Sequence, residues 1–278
     1  MQSNTKDTKN SYFYDEIDNL PPIMKKIVLI TGATSGIGEA SAKLFAANGY
    51  DIIITGRRAE RLKALKEELK DKFGCKVHVM SFDIKDARSV KASLEAVPEH
   101  FRRIDVLLNN AGKASDFIKI QDGDIANWDE VIDTNVKGLI YMTRIISPMM
   151  IKQGGGHIIN IGSIAGTEPY EYGNVYCATK HAVHGFSKSI RIDLLGTGVR
   201  VTEIRPGKVW TEFSLVRFRG DKEKADKVYE GYRALRAEDI AETILWAANQ
   251  PPHVNIDEVV ITPAAQANSY YQCKEEDI

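Results

Sequence analysis

The sequence predicts an α/β fold in a single domain: a doubly wound parallel sheet of seven strands with helices on both faces. Short apolar runs alternate with longer amphipathic stretches from Ile23 onward, the rhythm of repeated βαβ units. Most of these runs are continuous rather than alternating, as strands must be when helices cover both faces of a sheet. Composition permits such a fold, because 278 residues at 43% hydrophobic and 27% charged suffice for a sizeable core.

The first strand is Ile27-Val28-Leu29-Ile30, followed by a helical pattern over 37–48. Ile52-Ile53-Ile54 then leads into a helix at 58–72, and Val77-His78-Val79-Met80 into one at 86–98. Ile104-Asp105-Val106-Leu107-Leu108 precedes a long helical stretch at 126–153. His157-Ile158-Ile159-Asn160-Ile161 precedes another at 173–197. Val199-Arg200-Val201-Thr202-Glu203-Ile204 is the sixth strand, and Val259-Val260-Ile261, after a helix at 237–249, is the seventh. The rhythm breaks at Gly207–Arg236, a substrate loop that carries a charged helical piece at Asp221–Gly231. An excursion of that size from a compact domain is expected to be a lid or binding loop. No solenoid repeat or low-complexity linker divides residues 23–278. Residues 1–22 are polar and mixed in charge, and read as a flexible extension ending at Pro21-Pro22. An alternative has Tyr12, Phe13 and Tyr14 packing on a neighbouring subunit.

The balance of 37 basic and 38 acidic side chains gives a formal charge of −1, which argues against a nucleic-acid or anionic-membrane partner. No apolar run approaches the 18 or so residues of a membrane span, and residues 1–22 fit neither a secretory nor a mitochondrial leader. Three cysteines, Cys75, Cys177 and Cys273, form no CxxC or Cys/His cluster. A reducing, cytoplasmic setting without bound metal is expected.

Directly after the first strand, Thr31-Gly32-Ala33-Thr34-Ser35-Gly36-Ile37-Gly38 opens a helix. Gly32 permits a tight turn, Gly36 close backbone approach to a pyrophosphate, and Gly38 close packing of helix on strand. The free N–H groups at the helix start are an anion site, to which Thr34, Ser35 and Ile37 contribute. The second strand ends in Thr55-Gly56-Arg57-Arg58, with glycine where an acid would accept from a ribose 2′-hydroxyl. Arg57 and Arg58 suit a 2′-phosphate, so NADP(H) is expected over NAD(H). The alternative is that both arginines, with Arg61, form a solvated helix face. Asp83 after the third strand is either an adenine acceptor or an ordinary strand-end turn residue.

Asn109-Asn110-Ala111-Gly112 follows the fourth strand, and Ser163 the fifth, both at the carboxyl edge where open α/β sheets bind ligands. Tyr176 and Lys180 stand four apart in a helical stretch, on one face. A lysine cation about 5 Å from a phenol favours the phenolate by about 3 kcal/mol at an effective dielectric near 20. That pair, with the dipole of the helix start, would poise Tyr176 to exchange a proton with a carbonyl oxygen, and Ser163 would hold that oxygen. His157 and His181 flank the site without partners at triad spacing, and His181 reads as a packing residue. There is no G-x-S-x-G elbow, so hydrolase chemistry is not expected.

In these motifs the chain resembles the short-chain dehydrogenase/reductase family: the TGxxxGIG turn, the NNAG loop, the serine and the YxxxK pair, over about residues 25–263. The resemblance implies a Rossmann-type sheet and a catalytic set of Asn135, Ser163, Tyr176 and Lys180. Asn135 would link Lys180 through water to solvent, and Lys180 would also grip the nicotinamide ribose. Pro206 and Gly207 would wall the nicotinamide, with Ile84, Asn110, Ala111, Gly112, Val209 and Thr211 completing the cofactor site. A narrower resemblance lies in Asn174-Val175-Tyr176, in Thr211–Gly220 and in Asn255. It is to the NADP-dependent 3-hydroxy acid (serine/allo-threonine) dehydrogenases, which act on small hydroxy acids and semialdehyde-like carbonyls and have relatives that reduce sulfoacetaldehyde.

The substrate end reads less sharply. Trp210 and Phe213 can close over a small molecule, and Tyr170, in Pro169-Tyr170-Glu171-Tyr172, would line the pocket. Arg217 and Arg219 either anchor a carboxylate or sulfonate or pair with Glu212, Asp221 or solvent. Glu171 is open between meeting an ammonium and repelling a second acid. The resemblance implies a homotetramer or homodimer, to which Trp246, Tyr270 and Tyr271 would add apolar contacts unless Trp246 belongs to the core. The alternatives to a small-hydroxy-acid dehydrogenase are a broad NADPH carbonyl reductase and a non-catalytic NADPH-sensing protein.

Overall fold

All seven expected strands form one parallel sheet: β1 (Ile27–Ile30), β2 (Asp51–Gly56), β3 (Val77–Ser81), β4 (Val106–Asn109), β5 (Gly156–Ile161), β6 (Val199–Pro206) and, last in the chain, Glu258–Ile261. Two further strands, β7 (Val209–Trp210) and β8 (Leu235–Arg236), precede it, making it β9. The sheet order is β3-β2-β1-β4-β5-β6-β9. This computed structural model describes residues 25–114 and 116–274. The expected N-terminal extension, with Tyr12, Phe13 and Tyr14, lies outside them.

The continuous apolar strands are explained by what each face meets. Val28, Ile30, Ile52, Ile54 and Leu108 point to one side, where they pack with Phe45 of α1 (Gly36–Ala47), Leu62 and Leu69 of α2 (Ala59–Phe73), and Ile240 and Ile244 of a helix at Ala237–Ala248. Ile27, Leu29, Ile53, Leu107 and Ile158 point to the other. They meet Val90 and Leu94 of α3 (Ala87–Glu95), Met142, Ile146 and Met150 of a helix at Leu139–Lys152, and Ile190 of one at Asn174–Asp193. Successive strand residues face opposite sides, so both must be apolar when both sides are covered.

The long helical stretch expected at 126–153 is interrupted. α4 (Ile125–Ile132) runs through a π-helical segment, Asp133–Gly138, into α5 (Leu139–Lys152). The π segment is where Asn135 sits, and such insertions re-aim one side chain out of the regular helical progression. α6 (Asn174–Asp193) carries Tyr176 and Lys180 on one face. The break at 207–236 is structured: β7 pairs in parallel with β8, bracketing α7 (Glu212–Arg217) and α8 (Lys222–Lys227), before α9 (Ala237–Ala248). Thr211 and Asp221 cap α7 and α8 through their side chains.

Two sequence readings are settled by exposure. His181 lies exposed on α6 rather than packed, because the helix turns that position to solvent. Trp246 is 51% exposed and so is not a core residue, and Trp210 on β7 is 62% exposed. The three cysteines are unpaired. No described helix is long and apolar enough to cross a membrane.

Candidate active site

A cleft of about 470 Å³ opens along the carboxyl ends of β1, β2, β4, β5 and β6. It is lined by the Gly32–Ile37 turn, Arg57, Arg58, Asp83, Ile84, Asn110, Ala111, Gly112, Ser163, Tyr176, Lys180, Pro206, Gly207, Val209, Thr211 and Phe213. Residues from seven separate parts of the chain meet there because parallel strands end on the same side, so every loop that follows a strand is delivered to one edge.

The glycine turn is built for close approach. Gly36 has φ +56°, and a Cβ there would lie 3.3 Å from the Thr211 side chain. At Gly38 a Cβ would come within 2.5 Å of both Asn110 Nδ2 and the Gly32 carbonyl, so a larger residue would part helix from turn. Asn110 Nδ2 donates to the carbonyls of Thr31 and Gly32, and Thr31 Oγ1 accepts from the amides of Asn110 and Ala111. These bonds tie the NNAG loop to the turn. Ser35 precedes α1 without a side-chain capping bond, which leaves the helix's first N–H groups available to an anion.

Beside the turn stand the two arginines. Arg58 donates from Nε to Thr34 Oγ1 and from Nη2 to Ser35 Oγ, so its guanidinium lies against the phosphate turn. Nη1 reaches Glu212 Oε2 at 3.0 Å, and Arg61 meets the same carboxylate at 2.9 Å. Arg57 is more exposed and stands 3.9 Å from Asp83, which also faces Lys85. The donor set, two guanidiniums and free helix-start amides with no acid at the end of β2, fits a dinucleotide with a 2′-phosphate.

At the other end, Ser163 heads a short turn after β5. Its hydroxyl accepts from the Ala165 amide and donates to the Pro206 carbonyl at 3.5 Å, beside the Tyr176 phenol. Tyr176 is buried at the start of α6. Lys180 Nζ donates to the Ile161 carbonyl at 2.7 Å and lies 5.8 Å from the centre of the Tyr176 ring. Asn135 is locked by a two-way bond with the Lys113 backbone and by donation to Thr179 Oγ1. Gly112 stands beside both, since a Cβ there would lie 3.6 Å from Asn135 Oδ1 and 4.0 Å from Lys180 Nζ.

The electrostatics correct one expectation. Burial pushes the Tyr176 phenol well above its usual range, Tyr170 adds to this, and the Arg217 guanidinium and the Ser163 hydroxyl pull it back. The opposing cation is Arg217 rather than Lys180. Lys180 is itself desolvated, which pushes it down to about 8 against the pull of the Glu203 carboxylate. The phenol is therefore kept protonated, in the form that can donate.

The substrate end separates the two loop arginines. Arg217 lies 5.4–5.9 Å from the ring centres of Phe117, Tyr170, Tyr176 and Phe213, and its Nη2 donates to the Tyr170 hydroxyl at 2.8 Å. Its Nε is buried and has no protein partner. Arg219 is paired with Asp116 at 2.6 Å and its side chain is 70% exposed, and with Arg217 it lines a second cavity of about 410 Å³ beside the cleft. Neither arginine meets Glu212 or Asp221. Glu171 is exposed, and its carboxylate raises the neighbouring Tyr172 phenol above the usual range. Phe117 and the ion group Lys85–Glu130–Lys113 at the cleft rim were not anticipated. Nothing in the local pattern marks them, because their partners lie tens of residues away.

Comparison with known proteins follows the same lines. The short chain dehydrogenase family profile matches residues 26–220. The NADP-dependent 3-hydroxy acid dehydrogenase YdfG of Salmonella typhi is 50% identical over 242 residues, 87% of this chain and 96% of that protein. The sulfoacetaldehyde reductase of Chromohalobacter salexigens is 48% identical over 249 residues, 89% and 98% of the two chains. Among solved structures, the closed form of a serine dehydrogenase complexed with NADP+ superposes with a TM-score of 0.84 at 44% identity, covering 90% of this chain and 99% of that one.

Proposed function

Because the chain belongs to the short-chain dehydrogenase family, we propose that it transfers a hydride between NADP(H) and the 3-hydroxyl or carbonyl of a small hydroxy acid or its semialdehyde, sulfoacetaldehyde-like carbonyls included. The observation that carries this reading is the meeting of a buried phenol and a serine hydroxyl at the inner end of the dinucleotide cleft, with the Arg217 guanidinium 5.4 Å from the centre of the phenol ring. It rests also on the 3-hydroxy acid dehydrogenase and sulfoacetaldehyde reductase activities for which its relatives are named.

NADP(H), bound by the glycine turn, Arg57 and Arg58, supplies or takes up the hydride. The remaining chemistry belongs to the chain. Ser163 donates a hydrogen bond to the substrate oxygen and holds it beside Tyr176. In reduction Tyr176 gives its proton to that oxygen, and in oxidation it takes one. Lys180 places an ammonium near the phenol, which favours the phenolate left after donation, and would hold the ribose of a bound dinucleotide. Asn135 orders the space between Gly112 and Lys180 through which a proton returns from solvent. Phe117, Tyr170 and Phe213 exclude water from the pocket, and Arg217 anchors the acid group of the substrate.

A half-buried guanidinium set among aromatic rings, with one N–H left without a protein partner, favours an anionic substrate over the undemanding apolar pocket of a broad carbonyl reductase. Exposed Trp246 on α9 and Val260 on the edge strand β9 support self-association as a homodimer or homotetramer. The test is turnover of malonic semialdehyde, sulfoacetaldehyde and a neutral aldehyde with NADPH and NADH in parallel. Preference for the anionic aldehydes with NADPH is expected, and absence of NADPH-dependent turnover on every carbonyl would overturn the reading.

A further inference from the structure

Behind the turn that carries Ser163 lies a carboxylate that the chemistry above does not use. Glu203 on β6 is 1% exposed, and strand register sets it between Asn160 on β5 and Glu258 on β9. Its Oε2 accepts from His184 Nδ1 at 2.6 Å, while Oε1 is buried with no hydrogen-bond partner. That orphaned oxygen faces the active-site turn, since a Cβ on Gly162 would come within 2.0 Å of it. Gly162 directly follows Ile161, whose carbonyl holds the Lys180 ammonium. His184 is one helical turn beyond Lys180 on α6, so Glu203 is gripped from the surface side and turned inward to the turn beside Lys180.

The surrounding charges make the assignment specific. His184, Glu203 and Glu258 bring their ligand atoms within 4.8 Å of one another, which resembles a cation site. Glu258 is already met by Arg205 Nη1 at 3.2 Å and Lys188 Nζ at 3.5 Å, and Lys188 also binds Asp257. Arg205 Nε in turn donates to the Ser163 carbonyl at 3.4 Å. The outer carboxylate is thus neutralised by the chain's own cations, and the inner one remains for Lys180. Resting on the function proposed above, we propose that Glu203 is a positioning residue whose buried carboxylate backs Lys180 and seats the turn that carries Ser163. The carboxylate pulls the Lys180 ammonium up against the burial that pushes it down, and burial holds Glu203 itself above the usual carboxylate range, opposed by the His184 hydrogen bond and by Arg205 and Lys180.

Removing one negative charge from this spot lowers the ionisation point of the ammonium, so the loss of the charged lysine moves to lower pH. The experiment compares Glu203→Gln and Glu203→Asp with the parent enzyme, following kcat/KM for NADPH-dependent reduction from about pH 6 to about pH 10. In Glu203→Gln the alkaline decline is expected about one pH unit lower than in the parent, a roughly tenfold loss on that limb, while Glu203→Asp keeps the parent profile. The smaller pair Glu203→Asn and Glu203→Asp repeats the comparison if the glutamine variant does not fold. An amide variant that melts earlier yet keeps the parent limb would make Glu203 merely structural and overturn the proposal. A parent enzyme without NADPH turnover would instead overturn the function on which it rests.

Discussion

Arg217 donates to the Tyr170 hydroxyl at 2.8 Å and leaves its Nε buried without a protein partner. A charged donor kept dry in this way is costly unless a ligand completes it. Arg217→Met should lower kcat/KM for an anionic aldehyde by roughly 10–100-fold, the worth of a charge-assisted hydrogen bond, with less than about threefold change on a neutral aldehyde. Arg219→Ala, which opens an exposed pair with Asp116, should alter both by less than about threefold. Equal losses on both substrates in Arg217→Met would reject the anchor.

Tyr176 is the proton donor in the proposed reduction, held protonated by burial. Tyr176→Phe removes one hydroxyl and keeps the ring that packs on Phe213. Turnover should fall by about 10²–10⁴-fold while NADPH still binds, as followed by quenching of protein fluorescence. Substantial residual turnover would refute the acid–base role.

Arg58 lies on the phosphate turn through Thr34 and Ser35. Arg58→Ala should raise the KM for NADPH by roughly 10–100-fold and that for NADH by less than about threefold. Steady-state kinetics with both cofactors checks this, and a parallel loss would mean that Arg58 holds the turn rather than the 2′-phosphate.

His157 on β5 is buried, bonds Thr202 Oγ1 at 2.7 Å, and is pushed down to about 3 by burial. Its folded value lies below the ordinary histidine value, so below about pH 6.5 the unfolded chain takes up a proton that the folded one refuses. Stability should fall by about 1.4 kcal/mol per pH unit from this residue alone as pH drops from about 6.5 toward 3. Urea unfolding of His157→Gln should show a shallower loss over that window, and identical slopes would remove the histidine from the account.

The strand-helix alternation, the seven strands and the Gly32–Gly38, Asn110–Gly112, Ser163 and Tyr176/Lys180 motifs were all legible because each is written in local spacing. A helix face repeats every three to four residues, a covered strand is apolar throughout, and a parallel sheet carries every strand-end loop to one edge. The sequence by itself thus determined the sheet, the cleft and the cofactor class. Only the tertiary structure decided the charge pairing, since Arg58 meets Glu212 at a separation of 154 residues and Arg219 meets Asp116 at 103. It also decided how acidic Tyr176 is, because burial acts on that phenol more strongly than a neighbouring lysine does, and burial belongs to the assembled core rather than to any stretch of chain.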